Sequence, residues 1–226
     1  MLESLSARLQ KTFIPEKISV PESERRVLED KLTVCSNNTA KALYQMINAK
    51  VDAFPAELRV AMIDEIPRLL NPYDVTTTVL SDKIIGTSNS LIILSAPLKD
   101  IVKIADIFLH KERGYFKDIT NENVHVIKEF VNILAGYYAT ALNELLDTSY
   151  TTSEPFLSVD PYRVLESDPH KLVRNLGFCA AGEEESSALV FETDFNIPEY
   201  DVKMKITLLA GKEDAKNIIR AIGSKR

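Results

Sequence analysis

The sequence predicts an α+β fold: two repeats related by a pseudo-two-fold axis, sharing a largely antiparallel sheet covered by long helices. Three observations carry this prediction. An order of apolar patterns (long helix, several strands, closing helix) occurs twice along the chain. Pro55 and Pro155 interrupt the two halves just after their long helices. Short identities also recur. At an offset of 99, Ala42-Leu43 meets Ala141-Leu142, and at 114, Ser95-Ala96-Pro97 meets Leu209-Ala210-Gly211.

The first half is read as follows. Residues 1–20 form an N-terminal arm in which Leu2, Leu5, Leu9 and Phe13 fall near helical spacing. Such an arm packs on the body, frays, or docks into a partner's helix groove. Pro21 with Glu22 and Glu24 signals a helix start. The stripe Val27, Leu28, Leu32, Cys35, Ala42, Leu43, Met46 and Ile47 carries that helix to about Ala49. Strands are expected over 58–63, 75–80 and 90–95, the last a continuous buried run. A helical turn is expected at 67–70. Turns are expected at Asn71-Pro72 and 86–89. Pro97 opens a helix through Ile101, Ile104, Ala105, Phe108 and Leu109 that ends near Gly114.

In the second half, Thr120 reads as an N-cap with Glu122 in the first turn, and a long helix runs to about Asp147. Strands are expected over 156–159, 173–180, 187–195 and 202–209. Turns fall at Asp160-Pro161 and 182–186, and a last helix covers 212–222. The body therefore spans residues 21–224, with repeat one at about 21–114 and repeat two at about 115–224.

Composition narrows the function. The chain has 226 residues, 45% of them apolar, enough for a sizeable core. The 27 Lys and Arg against 33 Asp and Glu leave a net charge of −6, which disfavours nucleic acid as a partner. No apolar run approaches the about 20 residues of a membrane span. MLESLSARLQ lacks the apolar stretch of a signal peptide. A cytoplasmic protein without membrane insertion is expected. Cys35 and Cys179 form no CxxC, and His110, His125 and His170 add no ligand pattern. Reduced core thiols and no metal site are expected. There is no nucleophile elbow, P-loop or dinucleotide fingerprint to support a small-molecule enzyme.

The informative stretch is EFVNILAGYYATALNELL, residues 129–146. Glu129 and Asn132 are three apart and share a helix face. Ala135, Gly136, Ala139 and Ala141 give a small-residue surface. A mid-helix glycine costs about 1 kcal/mol relative to alanine, so close approach of another element is expected at Gly136.

This stretch resembles the signature of the CheC, CheX and FliY family of chemotaxis phosphatases. That signature runs Asp or Ser, three residues, Glu, two residues, Asn, 22 residues, Pro. Glu129 and Asn132 fit, and Pro155 falls 22 residues beyond Asn132. ILAG and TAL at 133–136 and 140–142 match the family wording. The Asp/Ser position falls on His125, which departs from the pattern. Family members often carry a second site in the first half, and here those positions hold Arg26, Asp30 and Thr33. Asp30 is shorter than Glu, and Thr33 lacks a carboxamide's reach, so the first-half site is read as inert. No switch-type domain follows residue 226, which in this reading disfavours a FliY-like architecture.

The resemblance implies a CheC-like hydrolase acting on the aspartyl phosphate of a CheY-type response regulator. Asn132 would position the attacking water, and Glu129 would accept a salt bridge from the regulator's lysine. It implies no cofactor of the chain's own, with Mg2+ carried by the regulator. The alternative is a non-catalytic adaptor with the same fold. Such an adaptor would bind a response regulator, a flagellar switch component or a CheD-type deamidase, and His125 favours it.

Overall fold

The structure, a computed structural model, describes residues 18–70, 77–87, 90–159, 178 and 187–223. Two long helices set its frame. α1 spans Glu22–Ile47 from Pro21, whose fixed φ of −59° suits a helix entry. It stops at Asn48, where the backbone turns left-handed at φ 51°. Asparagine tolerates that conformation because its side chain is short and polar. The second long helix, Val124–Leu146, ends the same way at Asp147, φ 55°. These C-caps lie 99 residues apart (48 and 147), the offset seen in the sequence.

The strands keep that spacing. β1 (Asp52–Ala53) and β2 (Glu57–Met62) follow α1. β5 (Thr151–Thr152) and β6 (Phe156–Val159) follow the second long helix and begin 99 residues later. Each half then adds a two-stranded antiparallel unit and a helix. The first has β3 (Thr77–Ile85), β4 (Ser90–Pro97) and α3 (Leu98–Phe108). The second has β7 (Ser187–Ile197), β8 (Val202–Ala210) and α5 (Lys212–Gly223). The short helix Ile66–Leu70 is α2, and Val124–Leu146 is α4.

All named strand pairs are antiparallel and form one eight-stranded sheet. Its order reads the same from either end: β1 and β2 on β7, then β8, β4, β3, then β5 and β6 on β3. Each half thus lends its short strands to the other half's hairpin. The two-fold passes between β4 and β8, which pair from Ser90–Ala210 to Ser95–Lys205. β4 is central, and all eight of its residues are buried. That explains why its sequence is a continuous apolar run rather than an alternation.

Helices α1, α3, α4 and α5 bury their apolar stripes on one face of the sheet, against residues such as Leu58, Leu94, Phe191 and Leu208. α2 and Phe178 pack with Val79, Ile93 and Val190 on the other. No helix among the described residues is long and apolar enough to cross a membrane.

Several expectations change. α3 ends at Phe108, not near Gly114. The buried Asp106 carboxylate accepts the N–H groups of Gly114 and Phe116 at 2.8 and 3.0 Å, holding the chain in a turn instead of a helix. Thr120 does not cap α4. Asn123 does, and its side chain is spent on the preceding turn: Oδ1 accepts Thr120 N–H at 2.8 Å, and Nδ2 donates to Asp118 O at 2.9 Å. Met46 is 42% exposed, outside the buried stripe of α1. Ile18, ahead of Pro21, is buried against the core. Residues 1–17, the turn at 71–72, the strand at 173–180 apart from Phe178, and the turns at 160–161 and 182–186 lie outside the described residues, as do Cys179 and His170.

Candidate functional site

Glu129 and Asn132 stand on one face of α4, separated by about 4.5 Å along the axis at ~1.5 Å per residue. Glu129 is exposed and makes no hydrogen bond or ion pair among the described residues. Its neighbour Lys128 is committed elsewhere, with Nζ 3.3 Å from Glu154 Oε1. The Glu129 carboxylate is therefore unpaired among the described residues. His125, one turn earlier, is also exposed.

Asn132 is half-buried, and Thr152 Oγ1 donates to its Oδ1 at 3.2 Å. The chain brings Thr152 there by folding back along α4. Asp147 turns left-handed, and Asn143 clamps the returning strand at Tyr150. Asn143 Nδ2 donates to Tyr150 O at 2.9 Å, and its Oδ1 accepts Tyr150 N–H at 2.6 Å. β5 then pairs with β3 through Thr152 and Ile84. Ser153 N–H donates to Lys83 O at 3.0 Å. Thr152 escaped the sequence reading because β5 is two residues long, too short for a period. Its only signal was a β-branched pair shortly before Pro155.

Asn132 Nδ2 has no partner among the described residues. The arrangement offers one anchored carboxamide with a free donor group beside one free carboxylate. It can order a water or polar ligand and receive a cation.

The equivalent place in the first half is built differently. Arg26 pairs with Glu22 at 3.2 Å, and Asp30 is exposed. Thr33, 99 residues before Asn132, is tied into the backbone: its Oγ1 accepts the Ala56 N–H at 3.0 Å. The residue 99 beyond Ala56 is Pro155, which has no N–H to offer.

Gly136 does not permit close approach of another element. A Cβ placed on it meets nothing within 4 Å. The small residues that do pack tightly are Ala135 and Ala139, both buried.

Cys35 is buried at the α1–α4 crossing, with its thiol 3.6 Å from Tyr137 O. Burial pushes that thiol up to about 12, which suits a core residue and not a nucleophile. No group of three His, Cys, Asp or Glu among the described residues is placed to hold a metal ion.

No protein-family model matches the chain, and no curated protein matches it. Solved structures do. FliY from Thermotoga maritima superposes with a TM-score of 0.70 at 16% identity, over 92% of this chain and 100% of that one. A chain of the FliM–SpeE complex from H. pylori gives 0.62 at 9% identity, over 91% and 97%. The FliM middle domain from Vibrio alginolyticus gives 0.60 at 10% identity, over 86% and 98%. The fold is the one that FliY and these FliM chains share.

Proposed function

We propose that this chain, with the fold of FliY and the FliM middle domain, is a phosphatase for the aspartyl phosphate of a CheY-type response regulator. One observation carries the reading. Asn132 is accessible and held by one oxygen, with its Nδ2 unbonded, beside a carboxylate that has no partner among the described residues.

An aspartyl phosphate is an activated acyl phosphate that hydrolyses unaided. A protein that accelerates it must place a water in line with the phosphorus and leave the loose transition state undisturbed. No strong base is required. The Asn132 carboxamide supplies donors and an acceptor to orient that water. Glu129 receives a lysine of the regulator and so fixes the docking register. In this reading any Mg2+ in the complex is carried by the regulator.

The second reading is an adaptor. Two observations favour it: His125 stands where the family signature has Asp or Ser, and the fold is shared with a chain from a FliM–SpeE complex. A regulator, a flagellar switch component or a CheD-type deamidase would then be bound without chemistry. Single-turnover decay of a phosphorylated CheY-type protein separates the two. Faster decay with this chain present supports the phosphatase. Binding of the phosphorylated protein with unchanged decay sinks it and leaves the adaptor.

A further inference from the structure

A carboxamide orients a water only if its own two ends are told apart. Its O and N are similar in size, and rotation about χ2 exchanges them. On an exposed helix face that rotation is free, and stopping it costs side-chain entropy. At Asn132 the structure supplies the restraint. Thr152 Oγ1 donates to Oδ1 at 3.2 Å, which places Nδ2 on the opposite side, away from β5.

Thr152 is itself held. Its branched Cβ limits χ1, its backbone pairs with Ile84 in the sheet, and the Asn143 clamp fixes the chain two residues earlier. The contrast with the first half shows what would otherwise happen. There the N–H of Ala56 takes the oxygen of Thr33. A main-chain donor at position 155 would compete for Asn132 Oδ1, and proline removes it.

We infer that Thr152 is a positioning residue: its hydroxyl fixes the Asn132 carboxamide with Nδ2 directed outward, and Pro155 keeps a rival donor away. The inference rests on the phosphatase reading for its kinetic consequence, and its structural half is tested without it.

The experiment uses the full chain with Thr152→Val, which keeps the shape and removes the donor, and Thr152→Ser, which restores the donor. Two quantities are read: the NMR order of the Asn132 side-chain amide, and single-turnover decay of a phosphorylated CheY-type regulator. Melting temperature and regulator affinity are measured alongside. In Thr152→Val the amide order parameter is expected to fall from its wild-type value to below about 0.6, the flexible range. The rate is expected to drop about fivefold at unchanged affinity and fold. Thr152→Ser is expected to recover both.

An Asn132 amide as ordered in Thr152→Val as in the wild type overturns the inference, whatever the activity. So does a loosened amide with an unchanged rate in an active protein. If the wild type does not speed decay at all, the phosphatase reading falls, and the amide measurement alone decides whether Thr152 holds Asn132.

Discussion

Ser36 of α1 and Tyr138 of α4 meet hydroxyl to hydroxyl at 3.0 Å where the two long helices cross. Ser36 Oγ also lies 3.0 Å from Thr193 Oγ1 on β7 and donates to Leu32 O at 2.9 Å. One buried oxygen thus ties both helices to the sheet. Ser36→Ala removes the shared atom, so Tyr138 and Thr193 lose a partner together. A cost of about 2 kcal/mol is expected, against about 1 kcal/mol for Tyr138→Phe, which leaves Ser36 and Thr193 bonded. Urea unfolding of both variants checks this. Equal losses would show that the three hydroxyls do not act as a unit.

Cys35 makes the fold sensitive to alkali. Its thiol titrates at about 12 in the folded chain, mainly through burial, against an ordinary value of 9.0. Between those values the unfolded chain has released a proton that the folded chain keeps. The contribution of Cys35 to stability is therefore level below pH 9 and falls as pH rises toward 12, by up to about 1.4 kcal/mol per pH unit. Tyr138 adds to the fall, because burial also raises its pKa. Cys35→Ala is expected to shallow the decline of the urea midpoint between pH 9 and 11, whatever it does to stability at pH 7. An unchanged slope would remove Cys35 from the account.

Gly136 offers a gain. It sits inside α4 at helical φ, and a Cβ there meets nothing within 4 Å. Gly136→Ala is expected to raise stability by up to about 1 kcal/mol, from helix propensity and reduced freedom of the unfolded chain. A lower melting temperature would show that the open space is not open in solution.

These sites show which parts of the molecule were legible in the sequence. The repeat was, because α1, α4 and their following strands keep one offset and carry their own periodicity. The shared helix face of Glu129 and Asn132 was, because one helix carries both. Thr152 was not, because its meeting with Asn132 depends on a left-handed turn at Asp147 and a clamp from Asn143, and neither leaves a periodic trace. The end of α3 was misplaced for a similar reason: Asp106, inside the helix, accepts N–H groups from the loop at Gly114 and Phe116, and apolar spacing does not describe that loop. Gly136 was misread because a glycine's cost is visible in sequence while its surroundings are not.

Thr33 is expected to matter for stability alone. Its hydroxyl oxygen accepts the N–H of Ala56, a residue only 5% exposed. Thr33→Ala leaves that N–H without its partner, at a cost of about 1 kcal/mol. Dephosphorylation at a temperature well below melting is expected to stay at the wild-type rate. A tenfold fall in rate with intact fold would place a working site in the first half.

Asn132 and Glu129 separate by when they act. Orienting the attacking water matters in the transition state and little in the docked complex. Asn132→Ala is therefore expected to lower the single-turnover rate by on the order of tenfold to a thousandfold, with regulator affinity nearly unchanged. Glu129 receives a cation as the complex forms, so Glu129→Ala is expected to weaken binding as well as rate, and more at low salt than at high. Neither substitution is expected to cost much stability: Glu129 has no partner among the described residues, and Asn132 has one bond, to Thr152, at a half-exposed edge. Melting temperature measured beside rate and affinity tests this directly. If Asn132→Ala lowers melting temperature, affinity and rate together, the side chain braces the α4–β5 junction and does not orient water.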